Sequence, residues 1–190
     1  MSGTKQEGSG VVVTPVGTLT FSALFTPVAF DDGEAERYSA RVVFDGKDPK
    51  VVEELKELVR LANLVGDAKL GAYDKRAYRL PVKKNEEGDF VLRAKTMYPL
   101  VTNARSQIVD SQLGEIRSSD LIYNGCLVKL GVSFYTYDKS GNRGVGCFLQ
   151  MVQKVAEGER ANPIPEASAV FNKIEPQNPS GKLTDEDVPF

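Results

Sequence analysis

The stretch that decides the fold runs from Asn124 to Lys154, NGCLVKLGVSFYTYDKSGNRGVGCFLQMVQK. Two runs rich in β-branched and aromatic residues flank a short polar loop, Asp138-Lys139-Ser140-Gly141, a pattern that reads as a β-hairpin. Side chains alternate along a strand. Cys126, Val128, Leu130, Val132 and Phe134 therefore share an apolar face, and Lys129, Gly131, Ser133, Tyr135 and Tyr137 share the other. On the return strand Val145, Cys147, Leu149 and Met151 form the matching apolar set, leaving Gly144, Gly146, Phe148 and Gln150 opposite. Bringing both apolar sets to one side places Phe134 opposite Val145, Tyr135 opposite Gly144 and Gly131 opposite Phe148. The second side then carries a lysine and three aromatic rings, with glycines facing Tyr135 and Phe148.

Uncovered rings beside cations suit a groove for single-stranded nucleic acid, because every base has a π-face and every nucleotide a phosphate. The same rings would also pack beneath a loop or a second sheet, with the glycines marking bulges. The hairpin alone leaves both readings open.

Composition narrows the classes. A chain of 190 residues with 41% hydrophobic content suits one domain with some tail and a real core. No apolar run approaches the roughly 20 residues of a membrane span, and the polar start MSGTKQEGSG lacks the apolar centre of a signal peptide, so an intracellular protein without membrane contact is expected. The net charge is -2; with the -3 of Asp185, Glu186 and Asp187 set aside, the remainder carries +1. A near-neutral body with an acidic tip is compatible with a polyanionic ligand where an acidic body would not be.

Histidine is absent, which removes the commonest general base, the Ser-His and Cys-His nucleophile systems and most zinc sites. The two cysteines are not cross-strand partners in the hairpin and are expected as buried free thiols. Gly181-Lys182-Leu183-Thr184 lacks the upstream glycine spacing and adjacent hydroxyl of a phosphate-binding loop. No enzyme activity, cofactor or metal is expected.

Taken in order, residues 1–10 read as disordered. A domain follows over 11–156, and a Pro-rich tail over 157–190 reads as disordered too. Val11–Thr14 and Thr18–Thr26 read as strand, with Leu19, Phe21, Ala23 and Phe25 on one face. The acidic cluster Asp31-Asp32-Gly33 reads as a solvated loop. Arg37–Phe44 is a further strand, with Tyr38, Ala40, Val42 and Phe44 inward and Arg37, Ser39, Arg41 and Val43 outward. Asp48 as N-cap and Pro49 at the first position open an amphipathic helix carrying Leu55, Leu58 and Ala62, which Gly66 is placed to end. Between Gly66 and Asp89, Tyr73 and Tyr78 are interleaved with Lys75, Arg76, Arg79, Lys83 and Lys84, which suits a loop tracking a phosphate backbone. Phe90–Met97 alternates again, with Arg93 and Lys95 on one side. Gln107–Val109 reads as a short strand and Ser118-Ser119-Asp120 as a turn.

The chain ends Asp185-Glu186-Asp187-Val188-Pro189-Phe190. Three carboxylates, an apolar pair and a terminal phenylalanine make a compact docking peptide for a partner with an apolar pocket and a cation. This end closely resembles the acidic, Phe-ending tip of bacterial single-stranded-DNA-binding proteins. The body resembles a phage single-stranded-DNA-binding family related to the T7-type proteins. The residues that carry the resemblance are Leu24-Phe25-Thr26-Pro27 with Tyr38-Ser39-Ala40, then Asn103-Ala104-Arg105-Ser106, and above all the hairpin from Tyr123-Asn124-Gly125-Cys126 to Val152-Gln153-Lys154.

The resemblance implies an OB-fold, a five-stranded Greek-key barrel that binds single strands on one face. It implies a protein that coats single-stranded DNA without reading sequence during phage replication or recombination, in the cytoplasm of an infected bacterium. Tyr135, Tyr137 and Phe148 would stack bases. Arg41, Lys95, Arg105, Lys129 and Arg143 would neutralise phosphates, Arg105 being assigned through its matching motif. Asp185–Phe190 would recruit a DNA polymerase, helicase or nuclease, and would occupy the basic groove when DNA is absent. A homodimer is compatible with this reading. A second reading stays open, an OB-fold or β-sandwich module that binds only protein, as in a virion or an assembly.

Overall fold

The hairpin is the longest pair of strands in the chain and closes a barrel with three others. In the computed structural model, which describes residues 10–29, 35–71 and 78–161, the order is β1 (Val12–Val13), β2 (Gly17–Val28), β3 (Arg37–Phe44), α1 (Pro49–Leu70), β4 (Val82–Lys84), β5 (Phe90–Thr96), β6 (Ile108–Val109), a 3-10 turn at Ser119–Leu121, β7 (Leu127–Lys139) and β8 (Asn142–Ala156). The expectations for residues 1–9, for Asp31-Asp32-Gly33, for Tyr73, Lys75 and Arg76, and for the tail from residue 162 to the tip Asp185–Phe190 lie outside the described residues.

Strand β2 pairs with β3, β3 with β5, β5 in parallel with β8, and β8 with β7. Strand β7 returns to the start of β2 through Gly17↔Val128 and Thr18↔Leu127. Five strands with one parallel junction thus close on themselves, the Greek-key barrel of an OB-fold. Strands β1, β4 and β6 extend the barrel at its edges. Inside lie Leu19, Val42, Phe44, Leu92, Ile108, Val128, Leu130, Val132 and Val152, all fully buried. Each such side chain contributes about 1.5–3 kcal/mol through burial.

The faces of the hairpin are as expected, but its register is displaced by two residues. Phe134 faces Cys147, Tyr135 faces Gly146, Tyr137 faces Gly144 and Ser133 faces Phe148. The reason is the turn. Ser140 (φ 51°) and Gly141 (φ 80°) form a two-residue turn closed by the Lys139↔Asn142 pair. Positive φ at both positions gives the backbone twist that matches the flanking strands. A slip of two keeps every side chain on its own face, whereas a slip of one would have exchanged them.

Two bulges do exchange faces. On β8 the pairing steps from Val132↔Leu149 to Gly131↔Met151, so Gln150 is the extra residue. Met151, expected in the core, therefore turns outward against the bare backbone of Gly131, and Val152 takes its inward place. On β2 the pairing steps from Leu19↔Val42 to Phe21↔Arg41, making Thr20 the extra residue. Leu19 stays in the core and Leu24 joins it, while Phe21 and Ala23, expected beside Leu19, leave the barrel core cluster to stand opposite Arg41 and Ser39, Phe21 partly exposed and Ala23 still buried.

The helix begins as read. Asp48 Oδ1 accepts the backbone N–H groups of Lys50 (2.8 Å) and Val51 (3.4 Å), and Pro49 occupies the first position. It does not stop at Gly66. It continues to Leu70 and ends at Gly71, whose φ of 85° is open to glycine at little cost. Gly66 has another use, because a Cβ there would stand 2.6 Å from Cε2 of Tyr78. The helix lays Leu55 and Leu58 on the barrel core and Ala62 on a satellite cluster with Tyr78 and Val145, which fastens it to the hairpin.

Both cysteines are free and buried. Burial pushes the Cys147 thiol up to about 12, so it remains an unreactive, protonated packing group at neutral pH. Residues Glu157 to Ala161 still belong to the body. The Tyr123 hydroxyl donates to Glu157 (2.6 Å), and the Ala161 N–H donates to the carbonyl of Asn124 (3.1 Å).

Candidate nucleic-acid interface

Residues directly opposed on neighbouring strands share a face, so the pairings trace rows across the outside of the barrel. One row runs Ala23, Ser39, Lys95, Phe148, Ser133, its first two members buried and its last three at the surface. Beside it runs Phe21, Arg41, Arg93. Further along the hairpin come Tyr135 with Gly146, then Tyr137 with Gly144, and Gly144 is bridged in parallel to Arg79. With strands about 4.8 Å apart, these rows form one continuous stripe of rings and cations.

The rings form a cluster. Tyr135 and Phe148 have centroids 4.3 Å apart with planes inclined at 33°, and Tyr135 and Tyr137 are 6.3 Å apart at 49°. Their opposing glycines make this possible. A Cβ on Gly146 would stand 2.5 Å from Cζ of Tyr135, and one on Gly144 would collide with the Tyr137 hydroxyl. Each tyrosine therefore lies down over a bare stretch of backbone. Phe148 stands at 40% exposure, high for a side chain of its size. Burial holds the Tyr135 hydroxyl above its usual range, and the positive charge of Arg37 pulls it partly back. The phenol stays protonated at neutral pH and can donate to a ligand.

Arg41 stands directly opposite Arg93 in the β3–β5 ladder, so two guanidinium-bearing residues share one patch of the sheet. Arg41 and Lys95 make no ion pair among the described residues. Beneath them Ser39 is fully buried, and its hydroxyl meets no partner among the described residues.

Of the eight residues expected to touch a single strand, Arg41, Lys95, Tyr135, Tyr137 and Phe148 come together on this stripe. Lys129 faces Gln153, four positions along β7 from Ser133 and so about 13 Å from the ring cluster. Arg105 sits at the end of a separate turn, where its carbonyl accepts from the Thr102 N–H (2.9 Å). Arg143 is engaged within the chain: its Nε lies 2.8 Å from Asp138 Oδ2, and its Nη2 donates to the Leu70 carbonyl (3.0 Å) at the end of α1. That geometry ties helix to hairpin.

The basic loop divides in the same way. Tyr78 is buried against Gly66, its hydroxyl donating to Asp67 (2.8 Å), and burial followed by that hydrogen bond pushes it up to about 12. It is a core residue instead of a stacking platform. Arg79, its neighbour, is exposed and stitched to the hairpin, its N–H donating to the Arg143 carbonyl (2.9 Å) and its carbonyl accepting from Val145 (2.8 Å). At this interface alternation alone puts Phe21 on the wrong face, because the bulged residue Thr20 reverses it. Arg93 carried a usable signal, its alternation with Lys95.

A protein family described as Enterobacter phage Enc34, ssDNA-binding protein matches residues 10–180. The chain belongs to this family. Three solved structures share the chain's fold at low identity. The single-stranded DNA-binding protein from bacteriophage Enc34 in complex with ssDNA is 17% identical, with a TM-score of 0.62 over 80% of this chain and 90% of that one. A C-terminal truncation of the same phage protein gives 16% identity and a TM-score of 0.63 over 80% and 88%. The single-stranded DNA-binding protein gp2.5 encoded by bacteriophage T7 gives 16% identity and a TM-score of 0.59 over 83% and 98%. No curated protein sequence matches the chain. Among the described residues no helix is long and apolar enough to cross a membrane.

Proposed function

We propose that this protein binds single-stranded DNA on the stripe of β3, β5, β7 and β8, without reading base sequence, and coats it during phage replication or recombination in the infected cell. The observation that carries this reading is the placement of Lys95 beside Phe148, whose ring contacts Tyr135, next to the opposed pair Arg41 and Arg93. Rings that lie flat offer π-faces to any base, and cations beside them take the phosphates. Membership of a phage ssDNA-binding family supports the same ligand.

The barrel, from residue 11 onward, is the binding domain, and the chain beyond Ala161 is the tail. The tip Asp185–Phe190 recruits a polymerase, helicase or nuclease through its ring and carboxylates, and when DNA is absent it competes weakly for the cations of the stripe. Support for this part comes from the residue types of the tip alone.

The test is a titration of fluorescent oligo-dT with the full chain and with a version ending at Leu183, across a salt series. Salt-sensitive binding that tightens on truncation is the expected result. Absence of binding by both forms would overturn the reading in favour of a module that contacts only protein.

A further inference from the structure

The loop after β5 holds two of the most water-exposed large side chains described, Tyr98 at 79% and Met97 at 63%. Two buried anchors fix that exposure. Thr96, buried at the end of β5, accepts the Tyr98 N–H on its hydroxyl (3.2 Å). Leu100, buried on the other side, accepts the Gln107 N–H on its carbonyl (2.7 Å). Between them lies the short span Met97-Tyr98-Pro99, whose backbone the proline limits further. The loop then turns through Thr102–Arg105, with Val101 bridged to Ser106. Ser106 pins that turn from below, its buried hydroxyl donating to the Ile116 carbonyl (2.7 Å).

An aromatic ring held in water on a braced loop forfeits the burial that would ordinarily recommend it. From Phe90 to Val109 the sequence contains Arg93, Lys95 and Arg105 and no carboxylate. Glu115 brings one carboxylate to the Ser106 end of the loop, where Arg117 pairs with it (2.6 Å) and also donates to the Thr102 carbonyl (2.8 Å). Tyr98 follows Lys95 by three residues, two of them past the end of β5, so their Cα atoms are at most about 10 Å apart.

We propose that this loop is a second contact for the same single strand, with Tyr98 stacking on a base and Arg105 meeting a phosphate after the strand has crossed the stripe. This rests on the proposed ssDNA reading and adds a length requirement to it. Only a strand long enough to pass Lys95 and reach the loop engages Tyr98.

The experiment compares the full chain with Tyr98→Ala on oligo-dT of about 5 and about 16 nucleotides, near the two ends of the site sizes seen for single barrels. Tyr98→Ala is expected to weaken binding of the long oligonucleotide about 5- to 150-fold, the range for one stacked base, and to leave the short one unchanged. Tyr98→Phe restores the wild-type value, and Arg105→Gln lowers the salt dependence for the long oligonucleotide alone. Equal affinities for wild type and Tyr98→Ala at both lengths would overturn the proposal, as would an equal loss at both, which would mark a structural role. If the full chain binds neither oligonucleotide, the ssDNA reading fails and this proposal falls with it.

Discussion

The ring of Tyr135 stands 4.3 Å from that of Phe148, and Phe148 is in turn the strand partner of Lys95. Two rings in contact act on one stretch of DNA. Tyr135→Ala and Phe148→Ala are each expected to cost about 1–3 kcal/mol of oligo-dT binding. The double variant should lose less than the sum, since each ring positions the other. Titrations with dT, dA and mixed oligonucleotides check this, and the loss should not depend on base identity.

Gly146→Ala tests whether the glycines serve the rings. A methyl group there cannot coexist with the present position of Tyr135 Cζ. DNA affinity should fall about as far as in Tyr135→Ala, while the barrel remains folded, because the ring is free to lift toward solvent. Circular dichroism together with the oligo-dT titration separates the two effects. Unchanged affinity would show that the flat ring is not what DNA contacts.

Arg41 and Arg143 should part company. Each phosphate contact on a single strand contributes about 0.7 to the slope of log K against log salt, so Arg41→Gln should reduce the slope by about that much without lowering the melting temperature. Arg143→Gln should do the reverse. It removes the tie from Asp138 and the Leu70 carbonyl and lowers the melting temperature, by about 2–4 °C per kcal/mol lost. A salt slope that drops in Arg143→Gln would assign it to the DNA contact.

The sign of one stability change decides the role of Gly66. On helix propensity alone, alanine at this interior position would gain about 1 kcal/mol. With the Tyr78 ring 2.6 Å from where the methyl group would sit, overpacking of about 1–3 kcal/mol wins. Denaturant unfolding of Gly66→Ala should therefore show destabilisation.

Alkaline unfolding reports on Tyr78. Its hydroxyl is raised from 10.0 to about 12 in the folded state, so the unfolded chain loses this proton first as pH rises. Its stabilising contribution is present in full below about pH 10 and is lost as pH climbs toward 12. In Tyr78→Phe that part of the decline should vanish, with oligo-dT binding at neutral pH unaltered. A pH profile identical to wild type would place the hydroxyl in water.

The sequence by itself determined which face of the hairpin is dry as far as Leu149, the N-terminal cap of the helix, and the outward face of its own strand for each of Arg41, Lys95, Tyr135, Tyr137 and Phe148. Strand alternation survives a register error of two, and an N-cap is satisfied by its own next residues. Tertiary structure decided the rest. The bulges at Thr20 and Gln150 exist because the barrel must bend, and nothing in the composition of β2 announces that Phe21 turns outward. Gly66 and Tyr78 are interpretable only as a pair, twelve residues apart in sequence and in contact across the helix surface. Arg79 and Arg93 gain their places from strands that are remote in the chain. Local periodicity specifies a face, but only closure of the barrel specifies which faces adjoin.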